Sequence, residues 1–207
     1  VSKSEQEGQR RTFIERARRE QIVGAAVDVI VEVGYRQASL ERIARRAGIS
    51  RGLISYHFAG RDELIAEVVL GVFRDGAEFI RPRVERRPDA AAMLRAYLEA
   101  NLEFMAGQRQ RMVAVVAILS ATGPDGLPGV DLAGTAGAPV DDLERILRWG
   151  QSTGLFRPFD TRVMATAVRN VIDGVPVRLS AEPDLDIAAY GAELVELFGR
   201  AVRADAP

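Results

Sequence analysis

The stretch SLERIARRAGISRGLISYHF, residues 39–58, decides the fold. Ser39 stands where a helix N-cap belongs, and Leu40, Ile43, Ala44 and Ala47 follow on one face over two turns. Gly48 ends that helix, since a tight turn there needs a positive φ. Ser50 is a second N-cap, for a helix carrying Leu53, Ile54 and Phe58. Two short helices joined through a glycine turn make a helix-turn-helix unit. Ala44 and Ala47 are small enough for the second helix to cross close to the first, and Ile49 plugs the space between them. The second helix keeps Arg51, Gly52, Leu53, Ser55, Tyr56 and His57 off its core face. Such a face suits base edges in a DNA major groove, and its positively polarised N-terminus suits phosphate.

Charge supports that reading. The chain has 207 residues and a formal net charge of -1, but the charge is unevenly spread. Residues 1–62 hold twelve Lys or Arg against eight acids, a net of +4, so the remainder carries -5. A basic head on an acidic body points to a polyanion as partner for the head only. Arg16, Arg18 and Arg19 read either as DNA contacts or as a solvated face, and Arg10 and Arg11 as an arm toward DNA or as solvated charge.

There is no cysteine, so disulfides and thiolate chemistry are excluded, and the reducing cytoplasm is the expected compartment. The N-terminal VSKSEQEGQRRTF is polar, so no secretory signal is expected, and no apolar run reaches the ~18 residues that span a bilayer. His57 is the single histidine and has no acid or second histidine at ligand spacing, so no metal and no cofactor is expected. There is no phosphate-binding glycine loop, no HExxH and no ExxH pair, so an enzyme is not expected either.

Outward from the motif, the periodicity is helical throughout. Residues 10–33 repeat apolar side chains at helical spacing up to Gly34. A helix from about Arg61 to Arg81 is expected to stop at Pro82. Further helices are marked by Met93 to Met105, RQRMVAVVAILSA, VDDLERILRWGQSTG, RVMATAVRNVIDGVPVRL and LDIAAYGAELVELFGRAV. Residues 122–139, rich in Gly and Pro, read as a loop that cannot hold a helix. The expected architecture is all-α with about nine helices. A helix-turn-helix head over residues 1–60 precedes a helical ligand-binding and dimerisation domain over residues 61–207.

The whole stretch SLERIARRAGISRGLISYHFAGRDEL resembles the TetR family of bacterial transcriptional regulators. Gly34-Tyr35, Ser39, then IA, AG, S, G, HF and a basic residue before EL stand at the family's spacing. The GLIS helix and VIDGVPVRLS resemble the BetI-type subgroup. The resemblance implies base-edge positions for Arg51 and Gly52. It implies phosphate contacts for Tyr56, His57, Ser39 and Arg61. Ser55 stands where an aromatic is usual and Leu53 where a small or hydroxyl residue is usual, which leaves the operator sequence open; Leu53 suits a thymine methyl.

The resemblance also implies a homodimer on double-stranded operator DNA, released by a small-molecule effector. The last two helices are expected to pair with their copies, and Met164, Val168, Val171, Val175, Leu194, Leu197, Phe198 and Ala201 are the candidate seam, part of which must serve the internal core. Tyr97, Asn101, Phe104, Met112, Trp149, Asn170 and Asp173 are candidates for an effector site; apolar aromatics at this spacing also read as plain core. A largely apolar effector fits better than choline. A quaternary cation needs an aromatic cage, and MVAVVAILSAT in the middle helix has no aromatic. The rival reading is a ligand-independent DNA-binding protein.

Overall fold

The computed structural model describes residues 3–123 and 126–204, with side chains for 13–123, 126–131 and 138–204. It is all-α: α1 (Lys3–Val33), α2 (Leu40–Ala47), α3 (Arg51–His57), α4 (Arg61–Glu85), α5 (Ala90–Gly107), α6 (Arg109–Thr122), α7 (Leu132–Ser152), α8 (Thr161–Ala181) and α9 (Ile187–Val202). A 3₁₀ turn, Tyr35–Gln37, links α1 to α2. No helix among the described residues is long and apolar enough to cross a membrane.

Contacts divide the chain into two compact units. The first is Val1–Gly71 with Ala114–Val130, and the second is Val72–Val113 with Asp131–Pro207. The first division falls eleven residues beyond the expected boundary at 60 and takes in the second half of α6.

In the first unit α1 packs on α2 and α2 on α3. Ile22, Ala26 and Ile30 of α1, Ile43 of α2, Ile54 of α3, and Leu64, Ile65 and Val68 of α4 are at most 1% exposed. Each of the larger side chains, Ala26 apart, is worth roughly 1.5–3 kcal/mol of apolar burial, and Ile54 is the buried residue within the short α3. In the second unit α5 packs against α9, α7 and α8, and α7 packs on α8. Leu98, Leu143, Leu147, Ala165, Val168, Ile172 and Val175 form its centre.

Two expectations are corrected. Pro82 does not stop α4, which runs on to Glu85, and α7 begins at Leu132 inside the expected loop and contains Pro139. A proline removes one backbone donor, and the bonds on either side can carry the helix past it.

Candidate nucleic-acid interface

The helix-turn-helix is built as the residues dictate. Ser39 has extended backbone, and its hydroxyl accepts a hydrogen bond from the Arg42 amide at 3.3 Å, capping α2. Gly48 ends α2 at φ 66° and ψ 32°, the left-handed region that only glycine enters freely. Its amide bonds back to the carbonyls of Ala44 and Arg45, and Ile49 N follows to Ala44 O at 3.0 Å. Ser50 then caps α3 by accepting from the Leu53 amide at 3.2 Å. The turn is thus fixed by one glycine and two hydroxyls, and Ile54, wholly buried, fixes the roll of α3 about its axis.

That roll decides what α3 presents. Arg51, Gly52, Ser55 and Tyr56 are exposed, Leu53 and His57 are half-buried, and the caps Ser39 and Ser50 are exposed. Tyr56 is 67% exposed. Its ring meets His57 edge-on at 5.0 Å. The Ser55 hydroxyl donates back to the Arg51 carbonyl at 3.3 Å. No group of three or more His, Cys, Asp or Glu among the described residues is placed to hold a metal ion.

The arginines of this corner divide into two sets. Arg46 pairs with Asp28 at 3.8 Å and with Glu32 on α1, and Arg45 pairs with Glu41 at 3.7 Å. Arg42 and Arg51 are exposed, and their guanidinium groups have no partner among the described residues. Arg61 departs from expectation. Its Nε donates to Ala38 O at 3.0 Å and its Nη2 to Tyr35 O at 2.6 Å, while the guanidinium lies 4.3 Å from the centre of the Tyr35 ring. A residue expected on phosphate is half-buried and engaged with its own backbone.

Arg19, one of three arginines that sequence alone leaves indistinguishable, proves to be a structural link. Its Nη1 donates to the His57 carbonyl, its guanidinium lies 4.1 Å from the centre of the Phe58 ring, and its Nη2 is 3.6 Å from Glu67 and 3.8 Å from Glu63. The side chains of Arg10 and Arg11 lie outside the described residues; their backbone is part of α1.

In the second unit, Tyr97, Asn101, Phe104 and Met112 are buried, Trp149 is 40% exposed, and Asn170 and Asp173 are exposed. Three of these join one polar cluster. Arg169 donates to both carboxylate oxygens of Asp173, through Nε at 2.9 Å and also through Nη2, and its Nη1 reaches Tyr97 Oη at 3.3 Å and Asn101 Oδ1 at 3.4 Å. Asn101 Nδ2 donates to Tyr97 O at 2.7 Å. Burial, the largest influence, raises the Tyr97 hydroxyl above its ordinary pKa, against the opposing pull of Arg169. Gly76 is explained by packing, because a Cβ there would come within 3.3 Å of the Phe104 ring.

The candidate seam splits. Val168 and Val175 are fully buried within the single chain, and Leu194 and Phe198 are buried as well, so these four belong to its own core. Met164, Val171 and Ala201 are half-buried, and Leu197 is 59% exposed. The sequence reading misses Val163 and Val177, exposed by 66% and 57%. Together with Ala167, Asn170 and Gly174 they form an exposed row at spacings of four and three along α8, a signal present in the sequence.

Residues 22–68 match the model of the bacterial regulatory proteins of the tetR family. The HTH-type transcriptional regulator BetI 1 of Chromohalobacter salexigens is 33% identical over 87 residues, 42% of this chain and 43% of that protein. BetI of Klebsiella pneumoniae is 35% identical over 78 residues, 38% of this chain and 40% of its own. The match thus spans less than half the length of these relatives. The TetR-family regulator PfmR of Thermus thermophilus superposes with a TM-score of 0.75 at 19% identity, over 86% of this chain and 97% of that one. The fatty acid degradation regulator FadR of Bacillus halodurans gives 0.72 at 21% identity, over 89% and 99%. At such identities the superpositions show a shared fold, and all four of these proteins are regulators rather than enzymes. The helix-turn-helix segment, residues 22–68, is thus similar in sequence to bacterial regulatory proteins of the tetR family and to BetI, and the helical fold around it is shared with solved regulators of the same architecture.

Proposed function

We propose that the chain is a homodimeric transcriptional repressor that reads a palindromic operator in double-stranded DNA with α3 and works in the cytoplasm. The observation that carries the reading is Arg51, exposed at the start of α3 with no intramolecular partner among the described residues, on a helix whose roll is fixed by buried Ile54. An arginine so placed suits bidentate contact with guanine O6 and N7. Gly52, Leu53 and Ser55 flank it as base-edge positions, and Ser39, Ser50, Tyr56 and His57 serve the phosphates. DNA recognition is assigned to residues 1–60 and pairing and sensing to 61–207. Pairing uses the exposed apolar row of α8 with Leu197 of α9. Release follows a small, largely apolar effector held by Tyr97, Phe104 and Met112. The BetI names of the relatives do not bring choline with them, because their match leaves more than half of this chain uncovered.

A second reading, a ligand-independent dimeric DNA-binding protein, is favoured by the Arg169 cluster, whose polar groups satisfy one another. One experiment tests the common core of both: selection of DNA from a random pool by the purified chain. A two-fold symmetric sequence with half-site centres roughly 34–36 Å apart is expected. Failure to enrich any sequence would refute the DNA-reading role.

A further inference from the structure

We propose that Arg61 and Arg19 are positioning residues for DNA recognition, two guanidinium clamps through which the start of α4 holds both ends of the helix-turn-helix. The inference rests on the DNA-binding reading above. Arg61 is the first residue of α4, and the carbonyls it holds belong to Tyr35 and Ala38, just before the α2 cap Ser39. Arg19 holds the carbonyl of His57, the last residue of α3, and is itself held by Glu63 and Glu67 on the first two turns of α4. Glu63 Oε2 also accepts from the Ala59 amide at 2.6 Å, which fixes the link between α3 and α4.

The geometry argues against Arg61 as a phosphate ligand. Its Nε and Nη2 share one plane and are aimed at two backbone oxygens, while the flat face of the group covers the Tyr35 ring. Turning that edge to a phosphate would leave the Tyr35 and Ala38 oxygens without these bonds and uncover the ring. A guanidinium meets both oxygens with two fixed, coplanar donors while its flat face lies on the ring; an ammonium has three donors but no planar fork to match that geometry. Arg61 therefore acts on DNA through the placement of Ser39 and the first turn of α2. Arg19 acts through the placement of Tyr56 and His57.

The test uses the full chain and the DNA it selects. Affinities of the wild type, R61A and R61K are measured from about 50 to 200 mM salt, the range over which lost phosphate contacts show as a changed slope. The clamp predicts that R61K, which keeps the charge and the stem, loses affinity about tenfold, nearly as much as R61A. It also predicts that the slope of log K against log salt stays at the wild-type value in both. Wild-type affinity in R61K would overturn the proposal. So would a slope reduced by about 0.9 in R61A, the mark of one lost phosphate contact. Hydrogen exchange across residues 35–42 gives an arm that needs no DNA and no R61A fold. Exchange there should quicken in R61K, and exchange at 55–59 should quicken in R19Q; unchanged exchange in either overturns the clamp at that residue. If the wild type selects no DNA while exchange quickens as expected, the DNA-binding reading fails and the clamps remain as architecture.

Discussion

α3 and α8 each carry a row of exposed side chains, and the two rows are opposites. The α3 row is Arg51, Gly52, Ser55 and Tyr56, mostly polar, with a single cation that has no internal partner among the described residues. The α8 row is Val163, Ala167, Asn170, Gly174 and Val177, mostly apolar or small. Water solvates the first row at little cost, whereas the second leaves apolar area unburied. The difference marks two kinds of partner. A polar row with a free guanidinium suits a polar, anionic surface, and an apolar row with small residues between its valines suits close approach of another helix. The first row takes its shape from caps and a glycine turn, the second from the bulk of the core beneath it.

The largest effect is expected from putting the same charge on the two sides of α8. Val175→Asp places a carboxylate at a position with no exposure, and the cost should exceed about 4 kcal/mol, enough to unfold the second unit. Val177→Asp, two residues on at 57% exposure, should leave the fold intact and the chain monomeric. Thermal melts and sedimentation separate the two outcomes. A dimeric Val177→Asp variant would remove the α8 row from the interface.

Next in size is Arg51→Ala on the other row. It should cost about 1–3 kcal/mol on the selected site and relax sequence preference at one base pair. An even loss of affinity across all sequences, read from competition with scrambled DNA, would show that Arg51 contacts only the backbone.

These two helices are not equally legible from sequence. The α3 row can be read because its fixing signals are local: Ser39, Gly48 and Ser50 each have one structural use at that spacing, and the structure shows each in it. α8 has apolar residues on more than one face, and periodicity cannot say which face meets the chain's own core. Val168 and Val175 face inward and Val163 and Val177 outward, yet as residue types they are identical. Arg61 misleads for a related reason. The family resemblance implies a phosphate contact for Arg61, and nothing local in the sequence tells that the carbonyls of Tyr35 and Ala38, more than twenty positions earlier, converge on its guanidinium. Pro82 and Pro139 read as breaks because local rules carry no information on the helix continuing past them.

A smaller effect tests whether the caps shape the α3 row. Ser50→Ala removes the bond to the Leu53 amide and should cost about 1 kcal/mol of stability. Because that cap starts the helix bearing Arg51, operator affinity should fall with it, whereas Ser180→Ala, which removes one exposed bond to the Pro176 carbonyl in α8, should leave affinity unchanged. Equal effects would detach the cap from recognition.

The mildest prediction concerns polar groups turned inward rather than outward. Arg169, Tyr97, Asn101 and Asp173 are bonded to one another in the second unit, in contrast to Arg51 of the first, which has no partner among the described residues. Burial raises the Tyr97 hydroxyl above its ordinary value of 10.0, so the folded chain holds that proton more tightly than the unfolded chain does. The sign follows by linkage: the contribution of Tyr97 is fully present below the unfolded value and is lost as pH rises through the folded one. Wild-type stability should therefore fall on the alkaline side of pH 10 by an amount that Tyr97→Phe does not show, since phenylalanine has no proton to lose. Denaturant midpoints for both proteins between about pH 8 and 11 measure it, and the difference between the two curves should shrink as pH rises through that range. If the curves stay parallel, Tyr97 titrates alike in the folded and unfolded chains, and the cluster at Arg169 is open to water in the manner of the α3 row.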